Sequence, residues 1–99
     1  MPAPTRNLLI APAAEIDLAE IGAYIAGDSP DAATKFLTAL EAKFQPLRQR
    51  PLMGSTRDHL ATGLRAIPYK RYVIYYLYTG TTITIVRVVH SARDVGTMF

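Results

Sequence analysis

The chain of 99 residues contains no cysteine and no tryptophan, and it has only two histidines. Without cysteine there is no disulfide framework and no thiolate chemistry. No apolar run approaches the roughly 20 residues that a membrane-spanning helix needs, and the start of the chain is not expected to act as a signal peptide. Two histidines without a spaced carboxylate give no metal-site signature. We therefore expect no metal, no cofactor, no membrane partner and a cytoplasmic location.

The composition is that of a compact globule, because 49% of the residues are hydrophobic and 19% are charged. We expect residues 1–99 to form one domain. The charge is uneven along the chain: residues 1–42 carry two basic and six acidic side chains, whereas residues 43–99 carry nine basic and two acidic ones. The basic half suits a polyanion or an acidic protein partner, and it equally suits the solvated edge of a sheet.

Two helices are predicted in the acidic half. Pro12 suits the first turn of one helix and Gly27 its end, with Asp17 near its positive end. Ser29 is the expected N-cap of the other, and the short connection predicts an antiparallel hairpin. Pro46 should kink or restart the second helix. The apolar residues of this helix recur at spacings of three and four and form one stripe: Ala33, Phe36, Leu37, Leu40, Phe44 and Leu47.

Strands account for most of the remaining chain. A short strand is predicted over residues 5–11, before the first helix, and a loop over residues 51–62. Three strands rich in Tyr, Val, Ile and Thr follow, over residues 63–67, 69–78 and 81–90. The order β-α-α-β-β-β predicts an α+β fold, in which an N-terminal strand and an α-helical hairpin pack on a mostly antiparallel sheet.

Ionisable residues gather where the last predicted strand ends, at Arg87, His90, Arg93 and Asp94. Strict alternation places Arg87 on the face of Ile83, Ile85 and Val89, and His90 on the opposite face, unless a bulge intervenes. Arg87 is expected to pair with an acidic helix residue such as Glu20, or with Asp94. His90 is expected to serve as a hydrogen-bonding residue at the strand end.

Four segments, in this order, resemble the ParE branch of the ParE/RelE toxin superfamily: DLAEIGAYIAGDSPDAATKFLTAL, PLMGSTRDHLATGLRAI, YVIYY and ITIVRVVHSARD. They cover about residues 14–94, and the most specific pieces are residues 63–65, 72–76 and 87–94. The resemblance implies a toxin of a bacterial type II toxin–antitoxin pair that inhibits DNA gyrase. Its partner would be a ParD-like antitoxin, a ribbon-helix-helix DNA-binding dimer. Operator DNA would be contacted only through that antitoxin.

RelE-like members of the same superfamily cleave mRNA on the ribosome, and this activity is the main alternative. Arg65 and Arg87 match two superfamily arginines, either of which can hold a phosphate in bidentate fashion. RelE-like enzymes also use a basic cluster with a C-terminal Tyr, or a set of Glu, His and Tyr. Here no Tyr follows His90, and Lys70 is the only lysine after the helices. We therefore predict binding without catalytic residues. A third alternative is an inactive scaffold that acts in autoregulation.

The candidate binding residues fall into two groups. An apolar tail, residues 95–99, is covered by no predicted element and suits insertion into a partner, or is a frayed end. Together with the basic cluster it supplies the target-binding candidates, which are Arg65, Arg87, His90, Arg93, Met98 and Phe99. The antitoxin is expected to dock in the groove of the helical hairpin, near Tyr24, Phe36 and Leu40.

Overall fold

The computed structural model describes residues 5–99. The bounds of its elements are β1 Asn7–Ile10, α1 Pro12–Ala26, α2 Pro30–Glu41, a 3₁₀ turn Gln45–Arg48, β2 Ser55–Thr56, β3 Arg65–Tyr69, β4 Tyr72–Tyr78 and β5 Thr82–His90. This order confirms the predicted α+β fold, with β2 as an additional two-residue strand inside the predicted loop. Within the described residues, neither helix has the length and apolar character that crossing a membrane requires.

The five strands form one sheet in the order β1-β5-β4-β3-β2. β1 pairs with β5 in parallel, and all other neighbours are antiparallel. The β3–β4 hairpin turns at Lys70 and Arg71, where Lys70 adopts a left-handed φ of 52°. Tyr69, which the sequence assigned to the start of β4, is therefore the last residue of β3. The order of the sheet leaves β1 and β2 as its two edges.

Both helices begin where the sequence predicts, and α1 also ends there. α1 begins at Pro12 and is followed by Gly27 as its C-cap. α2 begins where the Ser29 hydroxyl accepts the Ala32 N–H at 3.2 Å, a cap that stabilises a helix by about 1 kcal/mol. α2 ends earlier than the break expected at Pro46: its last residue is Glu41, and the chain continues as the 3₁₀ turn from Gln45.

The helices pack on one face of the sheet, which is called the helix side below. They approach each other closely at Gly22, where an added Cβ would lie 2.9 Å from Cδ1 of Leu37. The predicted stripe of α2 faces this core, although Phe36 and Leu37 stay partly exposed at its margin. The buried residues of the core are Ala14, Leu18, Ile21, Leu40, Phe44, Leu47, Ile74, Tyr76, Ile83, Ile85 and Val88.

A β-bulge in β5 changes which residues share a face. The pairing with β4 shifts by one residue at Val86, which has no partner of its own. The prediction that Ile85, Arg87 and Val89 share one face is therefore wrong. Val88 joins Ile85 in the helix-side core, whereas Val89 packs on the opposite face of the sheet.

The opposite face of the sheet carries a second apolar cluster, and the C-terminal tail covers it. Its buried members are Leu64, Ala66, Tyr75 and Val89, against which Val95, Met98 and Phe99 pack. The Phe99 ring lies 5.1 Å from the Tyr75 ring, measured between centroids. As expected, the tail belongs to no helix or strand, but the alternative that it is a frayed end is wrong, because it packs on the sheet. The tail is no free arm, because its apolar side chains gain burial by folding back on the sheet.

Tyr76 fastens the loop between the 3₁₀ turn and β2 to the core. Its hydroxyl accepts the Gly54 N–H at 2.8 Å and donates to the Pro51 carbonyl at 2.7 Å. Burial raises the pKa of this phenol, and the hydrogen bond from Gly54 opposes that shift. Gly54 has no room for a side chain, because an added Cβ would lie 2.8 Å from the carbonyl oxygen of Ala66.

We predict that Tyr76→Phe lowers the free energy of unfolding by about 1–3 kcal/mol, because two buried backbone groups lose their partner. Tyr24→Phe is the matched control, since Tyr24 is 81% exposed and should leave stability unchanged. Urea unfolding at neutral pH measures both variants. Equal effects of the two substitutions would contradict the anchoring role of Tyr76.

The raised pKa of Tyr76 adds a pH dependence to the same measurement. A group whose pKa is raised on folding contributes fully to the free energy of unfolding at any pH below its unfolded-state pKa, which is about 10 for tyrosine. This contribution is lost as the pH rises through the folded-state pKa. The wild type should therefore lose stability more steeply than Tyr76→Phe above about pH 10. Identical alkaline profiles would argue against a buried phenol.

Candidate functional site

Arg87 is held by a buried carboxylate on α1. Its Nε and Nη2 donate to the two carboxylate oxygens of Asp17 at 2.8 and 2.9 Å, and the Val88 N–H donates to the same carboxylate at 2.9 Å. Asp17 is 6% exposed and the Arg87 side chain 22% exposed. The hydrogen bond to Asp17 raises the pKa of Arg87, so the guanidinium stays charged. Bidentate pairs of this kind are among the strongest polar contacts in proteins.

The position of Asp17 follows from where β1 ends. β1 pairs with β5 only as far as Ile85, whose carbonyl accepts the Ala11 N–H. The chain then enters α1, which brings Asp17 to the part of β5 beyond the end of β1. The Val88 amide lies in this part of β5, and a buried amide needs an acceptor. The Asp17 carboxylate supplies it.

The expected ion pair between Arg87 and an acidic helix residue is present, but its partner is Asp17 instead of Glu20 or Asp94. From the sequence, Asp17 is predicted only to interact favourably with the positive end of the α1 dipole. Its actual role has no local signal, because the two residues lie 70 positions apart. They meet only because β5 pairs beside β1.

His90 and Arg93 line a cleft between α1 and the end of β5, together with Glu20, Tyr24 and Tyr72 among others. His90 is exposed, and its Nδ1 accepts the Ala92 N–H at 3.1 Å. Its ring stands edge-on to the Tyr72 ring, with the two centroids 5.4 Å apart. The structure thus groups two target-binding candidates with Tyr24, a candidate for antitoxin binding.

Arg65 lies towards the opposite end of the sheet. The β4 residues that face Arg65 and His90 are four positions apart, which is about 13 Å along a strand. Arg65 Nη1 donates to the Gly54 carbonyl at 2.6 Å, and its guanidinium carbon lies 6.0 Å from the centroid of the Tyr78 ring. The structure therefore does not bring Arg65, Arg87 and His90 into one site.

An apolar groove of about 360 Å³ runs between α2 and the β3–β4 turn. The Phe36 ring stands edge-on to the Tyr69 ring there, with centroids 5.6 Å apart. The Nζ atoms of Lys70 and Lys43 lie 5.8 Å from the Phe36 centroid and 5.9 Å from the Tyr69 centroid, respectively. Phe36 lines this groove, whereas Tyr24 lies in the cleft with His90, and antitoxin binding at Phe36 stays a prediction. Leu40 is a wrong choice, because it is 0% exposed in the core and no partner reaches it.

This arrangement suits binding more than proton transfer. Arg87 directs both its Nε and its Nη2 to Asp17. His90 accepts the Ala92 N–H at its Nδ1, a contact that fits the expected hydrogen-bonding residue at the strand end. Within residues 5–99, no three His, Asp or Glu side chains are grouped as metal ligands. The accessible side chains are mainly cations and aromatic rings around apolar recesses, a composition typical of interfaces.

We predict that Asp17→Ala lowers the free energy of unfolding by about 3 kcal/mol, because the Arg87 guanidinium and the Val88 amide lose their partner at a mostly buried site. Glu20→Ala is the matched control, since Glu20 is exposed on the same helix. Urea unfolding measures both variants. A loss for Asp17→Ala no larger than that for Glu20→Ala would contradict the importance of this contact.

Comparison with known proteins gives the family. The family model described as the ParE toxin of type II toxin-antitoxin system, parDE, matches residues 8–95. A structure of the chromosomal ParDE toxin–antitoxin system from P. aeruginosa is similar, with a TM-score of 0.73, 22% identity and coverage of 87% of this chain and 96% of that one. The toxin–antitoxin complex RelBE2 from Mycobacterium tuberculosis gives a TM-score of 0.59, 21% identity and coverage of 90% and 94%.

The two structures share the fold of this chain, at identities too low to carry more than the fold. No curated protein matches the chain in sequence. The family match, in contrast, extends over nearly all of the described residues, from β1 to the start of the tail. The chain therefore belongs to the ParE toxin family of type II toxin–antitoxin systems.

Proposed function

We propose that this ParE-type toxin inhibits DNA gyrase by binding it, and that a ParD-like antitoxin neutralises it. The observation that carries the proposal is the bidentate ion pair of Arg87 with Asp17. This pair ties Arg87 to α1 through its Nε and Nη2, which favours a structural role for Arg87 over a role as a phosphate ligand in RNA cleavage. The bound toxin would trap gyrase on cleaved DNA and block replication.

Ribonuclease activity is the second candidate function, because the chain shares its fold with the RelBE2 complex. Metal-free RNA cleavage needs a base for the 2′-hydroxyl, an acid for the leaving oxygen and cations for the phosphorane. Arg65 and His90 lie about 13 Å apart along the sheet, and the Nδ1 of His90 already accepts the Ala92 N–H. These distances and contacts favour binding over catalysis.

The antitoxin partner is supported by the groove beside α2. Both similar structures are named as toxin–antitoxin systems, and the groove combines an apolar floor with a rim of lysines. Such a groove fits the apolar face of an amphipathic helix with acidic flanks. The helix would belong to a ParD-like ribbon-helix-helix dimer, through which the complex would contact operator DNA.

The accessible target-binding candidates are Arg65, His90 and Arg93. Met98 and Phe99 are half-buried against the second apolar cluster. They would present only their outer edges to a target while the tail stays folded. Arg87 is the weakest of these candidates, because two of its guanidinium nitrogens, Nε and Nη2, already bond to Asp17.

We predict that the purified wild-type chain inhibits supercoiling by gyrase and accumulates cleaved DNA, while it leaves mRNA intact in a ribosome-dependent cleavage assay. His90→Ala serves as the control for the second candidate, since a ribonuclease that uses His90 would lose mRNA cleavage in this variant. Cut mRNA with unaffected gyrase would overturn the proposal. Silence in both assays together with normal growth on expression would favour an inactive scaffold that acts in autoregulation.

We predict that Lys70→Glu slows association with the antitoxin about fivefold at low salt, because reversal of a rim charge acts mainly on the association rate. Arg50→Glu is the matched control, with the same charge change at an exposed position beyond the 3₁₀ turn. Surface plasmon resonance with the antitoxin encoded beside the toxin measures both rates. Equal slowing in the two variants would indicate general charge attraction and would contradict a specific groove.

A further inference from the structure

We propose that a surface formed by Leu52, Met53 and Tyr78, called the loop surface below, docks on the toxin's target. The occupant we infer is an acidic protein surface with an apolar recess. The inference rests on the proposed function, in that it requires a toxin that acts by binding a protein. It places the contact with the target at the loop before β2. The family match names no contact residues, and the basic cluster after β5 lies elsewhere on the sheet.

The loop surface is held rigid from below. The Tyr76 hydroxyl bonds to both the Gly54 N–H and the Pro51 carbonyl, at 2.8 and 2.7 Å. Arg65 Nη1 donates to the Gly54 carbonyl at 2.6 Å. Because an added Cβ on Gly54 would lie 2.7 Å from the Tyr76 ring, the loop lies directly on that ring. The backbone that carries Leu52 is therefore fixed before any partner binds, which reduces the entropy lost on binding.

The apolar side chains of this rigid loop point to solvent. Leu52 is 59% exposed, Met53 52% and Tyr78 38%. In this orientation the exposed parts of these side chains add no buried surface to the core, although the core lies directly beneath the loop. A fixed backbone that presents exposed apolar side chains suits a protein interface, and methionine adapts readily to a partner's recess.

The rim of the loop surface is basic. Arg50 precedes the loop, Arg57 follows it, and Arg65 stands over the Tyr78 ring. No acidic residue occurs between Ala42 and Arg57. A basic rim is complementary to an acidic partner. The aliphatic centre argues for a protein, since a single-stranded nucleic acid would instead need aromatic rings on which its bases stack.

The loop surface is well separated from the groove beside α2. The groove lies at the β3–β4 turn, next to Tyr72, whereas Tyr78 ends the same strand. These two residues are six positions apart in β4, which is about 20 Å along a strand. Loss of the loop surface should therefore abolish target binding and leave antitoxin binding intact.

The test is the double variant Leu52→Ser/Met53→Ser, with Ile16→Ser as its control. Ile16 is also 59% exposed but lies on α1, so it matches the loss of exposed apolar surface without touching the loop. We expect the double variant to need at least about tenfold more protein to inhibit supercoiling by purified gyrase, and to lose growth arrest on expression. Ile16→Ser should match the wild type in both assays, and both variants should still bind the antitoxin.

A second variant tests the loop surface independently, in case the first variant fails to fold. Arg50→Glu/Arg57→Glu changes only the rim and should raise the inhibitory concentration of toxin several-fold at low salt, with less effect at high salt. Wild-type potency of either folded variant would overturn the loop surface and leave gyrase inhibition standing. If the wild type arrests growth without affecting gyrase, the gyrase proposal fails, and growth arrest alone decides on the loop surface. A wild type that arrests no growth overturns both.

Discussion

The Asp17 carboxylate ties α1 to the far part of β5 and thereby fixes how the helical hairpin lies on the sheet. Three donors converge on it, two from the Arg87 guanidinium and one from the Val88 amide. A mostly buried carboxylate is stable only when its desolvation is offset by donors of this quality. The contact is possible because β1 ends at Ile10, which leaves the edge of β5 open to α1.

The bulge at Val86 determines which residues of β5 face the helices and which face the C-terminal tail. It thereby affects both the contact with Asp17 and the placement of the candidate binding residues. Beyond the bulge, Val88 continues the helix-side core and Val89 supports the tail-covered cluster. His90 thus lies beside Tyr72, while Arg65 lies beside the loop before β2, where it bonds to the Gly54 carbonyl. Residues that a simple reading of the basic cluster would place in one catalytic site lie instead on separate surfaces. This separation favours binding of two protein partners over one reaction centre.

Local signals predicted the elements well, and nonlocal contacts account for what they missed. The cap at Ser29 and the turn at Gly27 depend on neighbouring residues, so the sequence shows them directly. The two-residue strand β2 has no pattern of its own and forms only because β3 supplies a partner. The bulge, the partner of Arg87 and the folded tail each depend on contacts between distant segments. The candidate site was therefore predictable in composition but not in arrangement.

The uneven charge of the chain has a structural explanation in these contacts. Some basic side chains serve the fold: Arg87 binds Asp17, and Arg48 Nε donates to the Arg6 carbonyl at 2.7 Å. Others border apolar recesses, Lys70 at the groove and Arg50 at the loop surface. Because each recess joins a basic rim to an apolar floor, both would suit acidic partners, yet they lie at opposite ends of β4. An antitoxin that fills the groove would then neutralise the toxin without contacting the loop surface, by blocking the approach of a large target to it. Neutralisation is therefore expected to depend on the bulk of the bound antitoxin, because the two surfaces lie about 20 Å apart.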